Sequence, residues 1–246
     1  MKNNVDKTEI LVIGKEKEQE QIKELKIELM NEGKPICIEP KAEIKILGIY
    51  IDQKLNWNAQ IKYAKKKSMN AILNLNRMRN ILSEKTKVLL YNTIVTPHFS
   101  YADVVWNGCS KTYANKLQTA QNFALRIIKN RRKRDSAKQI LREMKFLNLQ
   151  QKRQVHEAVF IKKALMNKSS QNLTDKYLEY IPNEKTRQAI EGKLNLPKHR
   201  TTKYEKCPLY RTVKTWNSIP PHIIENNQPN TLKKKYQKYL IEKRTH

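Results

Sequence analysis

Tyr101, Ala102 and Asp103 have the most chemistry to offer, because a tyrosine set just before two adjacent carboxylates on a hairpin can hold a pair of divalent ions for phosphoryl transfer. Val104 stands where the second acid would be. The ligand pair is incomplete, and Asp103 reads instead as a helix end packed on its neighbours. Glu16, Glu18 and Glu20 lie in a lysine-rich stretch and read as a solvated face, not an acid–base pair. His98, His156, His199 and His222 lack the HxH or HxxxH spacing of metal ligands. There is no GxxxxGK[ST] loop, and only five glycines occur in all, so a phosphate-cradling nucleotide site is not encoded. The three cysteines, Cys37, Cys109 and Cys207, are too far apart for a CxxC pair, which argues against a zinc knuckle or a disulfide framework and for reduced thiols.

What the chain has in abundance is positive charge. Fifty Lys and Arg against twenty-three Asp and Glu leave a formal +27 over 246 residues. Self-repulsion on that scale destabilises a compact state unless polyanions relieve it, so the expected partner is nucleic acid. Lys62, Lys65, Lys66 and Lys67 form one cluster, and Arg126, Lys129, Arg131, Arg132, Lys133 and Arg134 a second. Contacts of this kind follow phosphates and ignore base identity. RRKR at 131–134 also has the composition of a nuclear-localisation signal. The eighteen aromatic residues are scattered and set up no base-stacking sheet face. No run of eighteen apolar residues exists, and MKNNVDKTE lacks the apolar core of a signal peptide, so the expectation is a soluble protein of the nucleus or cytoplasm with no membrane partner.

The positioning elements follow from periodicity. Residues 9–14 (EILVIG) form a short apolar run ended by glycine, read as a buried strand. Alternation from Leu25 to Leu29, then Asn-Glu-Gly-Lys, then Pro35 to Ile38, predicts a hairpin with Gly33 at its turn. Ile44 to Ile51 reads as one further strand, in which Gly48 sits at a bulge or where backbone must come close to a ligand. Trp57, Ile61, Ala64, Ser68, Ala71, Leu75 and Met78 repeat every three or four residues, the stripe of a long helix whose lysines face away. A second helix should run from Ser83 to Val95 and stop at Pro97, and a third from about Tyr113 to Ile127. Two more fit 137–145 and 149–166. Beyond Asn172 no period persists until a short amphipathic helix over Leu232 to Ile241. The fold class expected is α+β, mainly α. It divides into a small β segment (1–52), a helical bundle (53–168) and a basic C-terminal region (169–246).

Five collinear segments carry a resemblance. NNVDKTEILVIG (3–14), KILGIYIDQKLNW (45–57), the set Val95, Pro97, Tyr101, Val105 and Trp106, the basic helices between and beyond, and RTVKTWNSIPPHI (211–223) together resemble reverse transcriptases of non-LTR, jockey and CR1-like retrotransposons. The match covers the end of the palm, the thumb and the tail of such a polymerase. The resemblance implies that Lys45, Gly48 and Tyr50 belong to the strand gripping the primer end and that the basic helices track an RNA·DNA template–primer duplex. It also implies that Lys7 matches a lysine that protonates the departing pyrophosphate, the alternative being a lysine at a turn before a strand. Mg²⁺ belongs to the parent polymerase, and no cofactor is expected on this chain. Because the paired aspartates are missing, the expected function is template–primer binding without polymerase activity, as a truncated part of the enzyme. A further option is a structural partner that completes a split polymerase with another chain, which predicts co-purification with a fragment bearing a Tyr-x-Asp-Asp motif. The alternative is a basic helical RNA- or DNA-binding protein with no polymerase role.

Overall fold

The computed structural model describes residues 8–14, 27–31, 34–166, 168–225 and 228–244. Contacts divide the chain into two compact units, residues 1–63 and 64–246. The class is α+β and mainly α.

In the first unit, β1 (Ile27–Asn31) pairs antiparallel with β2 (Lys34–Ile38), Ile27 opposite Ile38, as the alternation predicts. The predicted turn residue Gly33 and the acids Glu16, Glu18 and Glu20 lie outside the described residues. Residues 8–14 do not form the predicted strand: Ile10 makes one isolated bridge to Pro40 and the rest is irregular. The single strand expected over 44–51 is in fact two, β3 (Glu43–Ile46) and β4 (Ile49–Asp52), with Ile46 opposite Ile49. Leu47 (φ 46°) and Gly48 (φ 84°) form the two-residue turn between them. Positive φ at both central positions matches the right-handed twist of a hairpin. Gly48 is therefore needed for the turn itself and not for a bulge.

Asp52 then organises the exit from β4. Its Oδ1 accepts the backbone N–H groups of Lys54 (3.1 Å) and Asn56 (3.0 Å), and its Oδ2 that of Trp57 (2.7 Å). Three donors on one carboxylate hold a bend in which Leu55 (φ 54°) and Trp57 (φ 64°) are left-handed, a conformation costly for residues with a β-carbon. From that bend α1 (Asn58–Arg77) begins. Its buried stripe is Ile61, Ala64, Ser68, Ile72 and Leu75, with Trp57 buried just ahead of it; Met78, predicted on the stripe, lies past the helix end and is exposed.

In the second unit, Ser83 caps α2 (Glu84–Leu90) by accepting the Thr86 N–H. The expected stop at Pro97 does not occur. A π-helical turn over Tyr91–Val95 leads straight into α3 (Thr96–Ser100), with Pro97 in its first turn. A proline clashes with the carbonyl four residues back, and a widened π turn or a new first turn relieves that clash. After Ala102 in the left-handed region (φ 48°) come α4 (Asp103–Trp106) and α5 (Lys111–Ile128), the latter capped by Ser110. Next are α6 (Ala137–Glu143) and α7 (Leu149–Leu165), which starts on a capping box between Asn148 and Gln151.

The region expected to be irregular contains α8 (Gln171–Leu178), the short turns α9 (Arg187–Ile190) and α10 (Thr202–Glu205), then α11 (Pro208–Asn217), α12 (Pro221–Ile224) and α13 (Pro229–Glu242). The α11 stripe, Tyr210, Val213 and Trp216, is only three residues long, too short to show as a period. The core gathers on α7: Val155, Ala158, Ile161 and Ala164 pack with Val213 and Trp216 of α11 and with Leu232, Tyr236 and Leu240 of α13. Each buried Val, Leu or Ile among them contributes about 1.5–3 kcal/mol, which makes α7 the axis of this unit.

Candidate nucleic-acid interface

The two lysine-rich segments differ in exposure and in the partners their side chains take. Lys62, Lys65, Lys66 and Lys67 are all exposed on α1, away from its buried stripe. The second cluster splits. Arg126 donates through Nε to the Asp135 carbonyl (2.9 Å), and Lys129 pairs with Glu84 (2.6 Å). Arg131 lies 3.9 Å from Glu143, a loose pair, while Arg132, Lys133 and Arg134 project from the loop between α5 and α6. The loop is fixed by the Asp135 carboxylate, which accepts the Arg132 N–H (2.7 Å). Behind it, Lys87 is buried and donates to the Arg79 carbonyl (3.0 Å) and to Asn130 Oδ1 (2.9 Å). Burial, then the nearby Arg79 charge, holds the Lys87 amine below its ordinary pKa. Nothing in the local sequence separates this internal lysine from the exposed ones.

On the β3–β4 hairpin, Lys45 lies opposite Tyr50 and places its ammonium 5.3 Å from the Tyr50 ring and 5.4 Å from that of Tyr63. Tyr50 is also fixed through its backbone N–H, which donates to Gln60 Oε1 (3.0 Å). Gly48 is at the hairpin tip. Lys7 lies outside the described residues.

Asp103 is buried and bonded to His156 Nδ1 at 2.7 Å. Burial raises the pKa of its carboxyl, a push only partly opposed by the bond to His156. A lone carboxylate already held by a side chain, with Val104 beside it, does not fit a two-metal centre. Among the described residues no cluster of three or more His, Cys, Asp or Glu could hold a metal ion, and no helix is long and apolar enough to cross a membrane.

Asp103 is one end of a buried polar network missed from the sequence, whose centre is Glu157 on α7. Glu157 Oε1 accepts from Asn107 Nδ2 (2.8 Å) and Arg211 Nε (3.2 Å), and Oε2 from Thr215 Oγ1 (2.6 Å). The same Arg211 guanidinium reaches the carbonyls of Lys206 and Val104, both at 2.6 Å. Arg153 lays its guanidinium over the Trp106 ring, 4.6 Å from the centroid, and donates to Asn107 Oδ1 (3.3 Å). Gly108 must be glycine here, since a β-carbon would sit 2.2 Å from the Lys206 carbonyl oxygen. Farther along α11, Trp216 Nε1 donates to the Gly192 carbonyl (2.9 Å), and the Asn217 side chain exchanges two bonds with the Leu194 backbone. The tryptophan and asparagine of the WNSIP segment thus clasp residues 192–194.

The chemistry available is therefore of two kinds: exposed ammonium and guanidinium groups suited to phosphates, and a buried charge network suited to holding segments together. Comparison with protein-family models, with curated proteins and with solved structures gave no match.

Proposed function

We propose that this chain binds RNA·DNA template–primer duplex through its basic helical surface, as a relative of the palm-end, thumb and tail portion of a non-LTR retrotransposon reverse transcriptase, and that it transfers no nucleotides by itself. The observation that carries the reading is α1: four lysines exposed along a helix whose opposite stripe is buried, in a chain of net charge +27. A rigid helix whose cations face water presents a row of positive charge to a polyanion. The exposed Arg132, Lys133 and Arg134 add a second patch. Further support comes from the two most specific segments of the resemblance, 95–106 and 211–223, which meet where Arg211 caps the Val104 carbonyl. The catalytic Mg²⁺ and its paired aspartates belong, in this reading, to another polypeptide.

Two measurements test it. Anisotropy titration of a labelled RNA·DNA duplex should show affinity falling log-linearly with salt, and changing Lys62, Lys65, Lys66 and Lys67 together to Ala should flatten that slope by roughly four. A salt-independent affinity refutes the binding surface. Primer extension with Mg²⁺ and dNTPs should give no product from the purified chain; incorporation would refute the claim of inactivity.

A further inference from the structure

A groove of about 550 Å³ opens between the end of α6 and the last turns of α13. Arg142 and Lys145 line one wall, Lys234 and Lys238 the other, and Arg244 lies between them. Glu242 is the one acid in the lining, and Lys238 approaches it only to 3.9 Å. Five cations thus face one carboxylate in a space of ligand-cleft size. Lys234 and Lys238 are four residues apart on one helix, an arrangement that costs a few tenths of a kcal/mol when like charges stack. Among the described residues, no carboxylate forms an ion pair with Arg142, Lys145 or Lys234.

Arg244 is not free to swing away. Its guanidinium donates to the carbonyls of Leu141 (3.1 Å) and Phe146 (2.9 Å), while its Nε is buried with no hydrogen-bond partner. Burial, and then the positive charge of Arg142, disfavour its protonated form. Among the described residues, a preorganised cation here faces more cations with little anion among them, an arrangement that an anion from outside would complement.

We infer that this groove is a phosphate-backbone contact, separate from the α1 lysines, that receives one strand of a nucleic-acid duplex. The inference rests on the duplex-binding reading above and adds a second place of contact. A backbone suits the groove better than a compact anion. Lys234 and Lys238 are offset by about 6 Å along the helix, so their charge is spread along a line and not gathered at a point. An open trough with a cation on each side also admits a chain that continues past both ends.

The test uses the full chain and a labelled RNA·DNA duplex titrated across a salt series. Lys234→Ala with Lys238→Ala removes one wall, and Arg142→Gln with Lys145→Asn the other. Lys198→Ala with Lys203→Ala removes the same charge from an exposed segment elsewhere. Each groove pair should weaken binding roughly tenfold at physiological salt and lower the salt slope by about two, while the control pair changes neither by as much. All three pairs alter exposed side chains, and an unchanged melting temperature checks that each has folded. If the groove pairs match the control while the α1 lysine variant loses affinity, the groove inference is overturned and the proposed function stands. If the unaltered chain shows no salt-dependent binding, both fall. If tripolyphosphate binds, and the groove pairs abolish that binding yet leave duplex affinity unchanged, the site takes a small polyphosphate and the duplex inference is overturned.

Discussion

Replacing Glu157 tests whether the buried network holds the second unit together. The Glu157 side chain is 2% exposed and that of Arg211 14%, so neither charge is well screened by water. Glu157→Ala removes the acceptor for Asn107, Arg211 and Thr215 at once and leaves Arg211 to its two carbonyl partners. Breaking a buried pair by deleting one partner costs about 3–5 kcal/mol, a large share of the roughly 5–15 kcal/mol by which a domain is stable. Glu157→Gln is the sharper variant. Its Oε1 still accepts from Asn107 and Arg211, and its amide donates to the Thr215 hydroxyl, which turns to accept. Shape and hydrogen bonds survive and only charge is lost, so we expect about half the cost of the alanine variant. Urea unfolding followed by tryptophan fluorescence reads both, because Trp106 and Trp216 are buried and flank the network. The midpoint should fall with an unchanged slope. A double-mutant cycle with Arg211→Met should show coupling above about 1 kcal/mol. If Glu157→Ala costs less than about 1 kcal/mol, or the two single costs simply add, the network does not bind these segments.

Three further outcomes are expected. Gly108→Ala forces a β-carbon onto the Lys206 carbonyl oxygen at 2.2 Å, and the shift needed to relieve it should cost about 1–3 kcal/mol or more in chemical denaturation; a neutral result would mean that the 206–211 turn is not held against 104–108. Burial lowers the Lys152 pKa from 10.5 to about 8. The unfolded chain therefore binds more protons between those values, and stability should rise as pH climbs from 8 to 10. Lys152→Met should flatten that rise and stabilise the protein at pH 7 by up to about 3 kcal/mol; a less stable variant would show that the ammonium is compensated by its 5.3 Å contact with the Tyr91 ring. Asn148→Ala removes the α7 capping box and should lower the melting temperature by an amount equivalent to about 1 kcal/mol.

The sequence displayed the long helices plainly, because α1 and α5 each bury one face and a stripe of one face survives as a period. It displayed the β1–β2 hairpin through the alternation of residue types along both strands. The β3–β4 turn was also visible in principle: Ile44 and Ile46 are even, Ile49 and Ile51 odd, and that change of parity means two residues have left the ladder. Pro97 misled because a proline is read as a helix stop, whereas here a π turn and a fresh first turn accommodate it and the helical path continues. The network was the least legible. Glu157 and Arg211 lie in segments that look like ordinary solvated charge, and only the fold brings together residues 54 apart.

Several buried and half-buried cations here lean on carbonyl oxygens. Lys87 uses the Arg79 carbonyl, Arg126 that of Asp135, Arg211 those of Val104 and Lys206, and Arg244 those of Leu141 and Phe146. Carbonyl dipoles at helix ends and turns are negative and held in place by the fold, so they serve a buried guanidinium without adding an acid to the surface. The few acids are then spent where several bonds must converge, as at Asp52 and Glu157. Acids engaged at Asp52, Asp103 and Glu157 serve the fold, while Lys62, Lys65 and Lys66 stay exposed on α1.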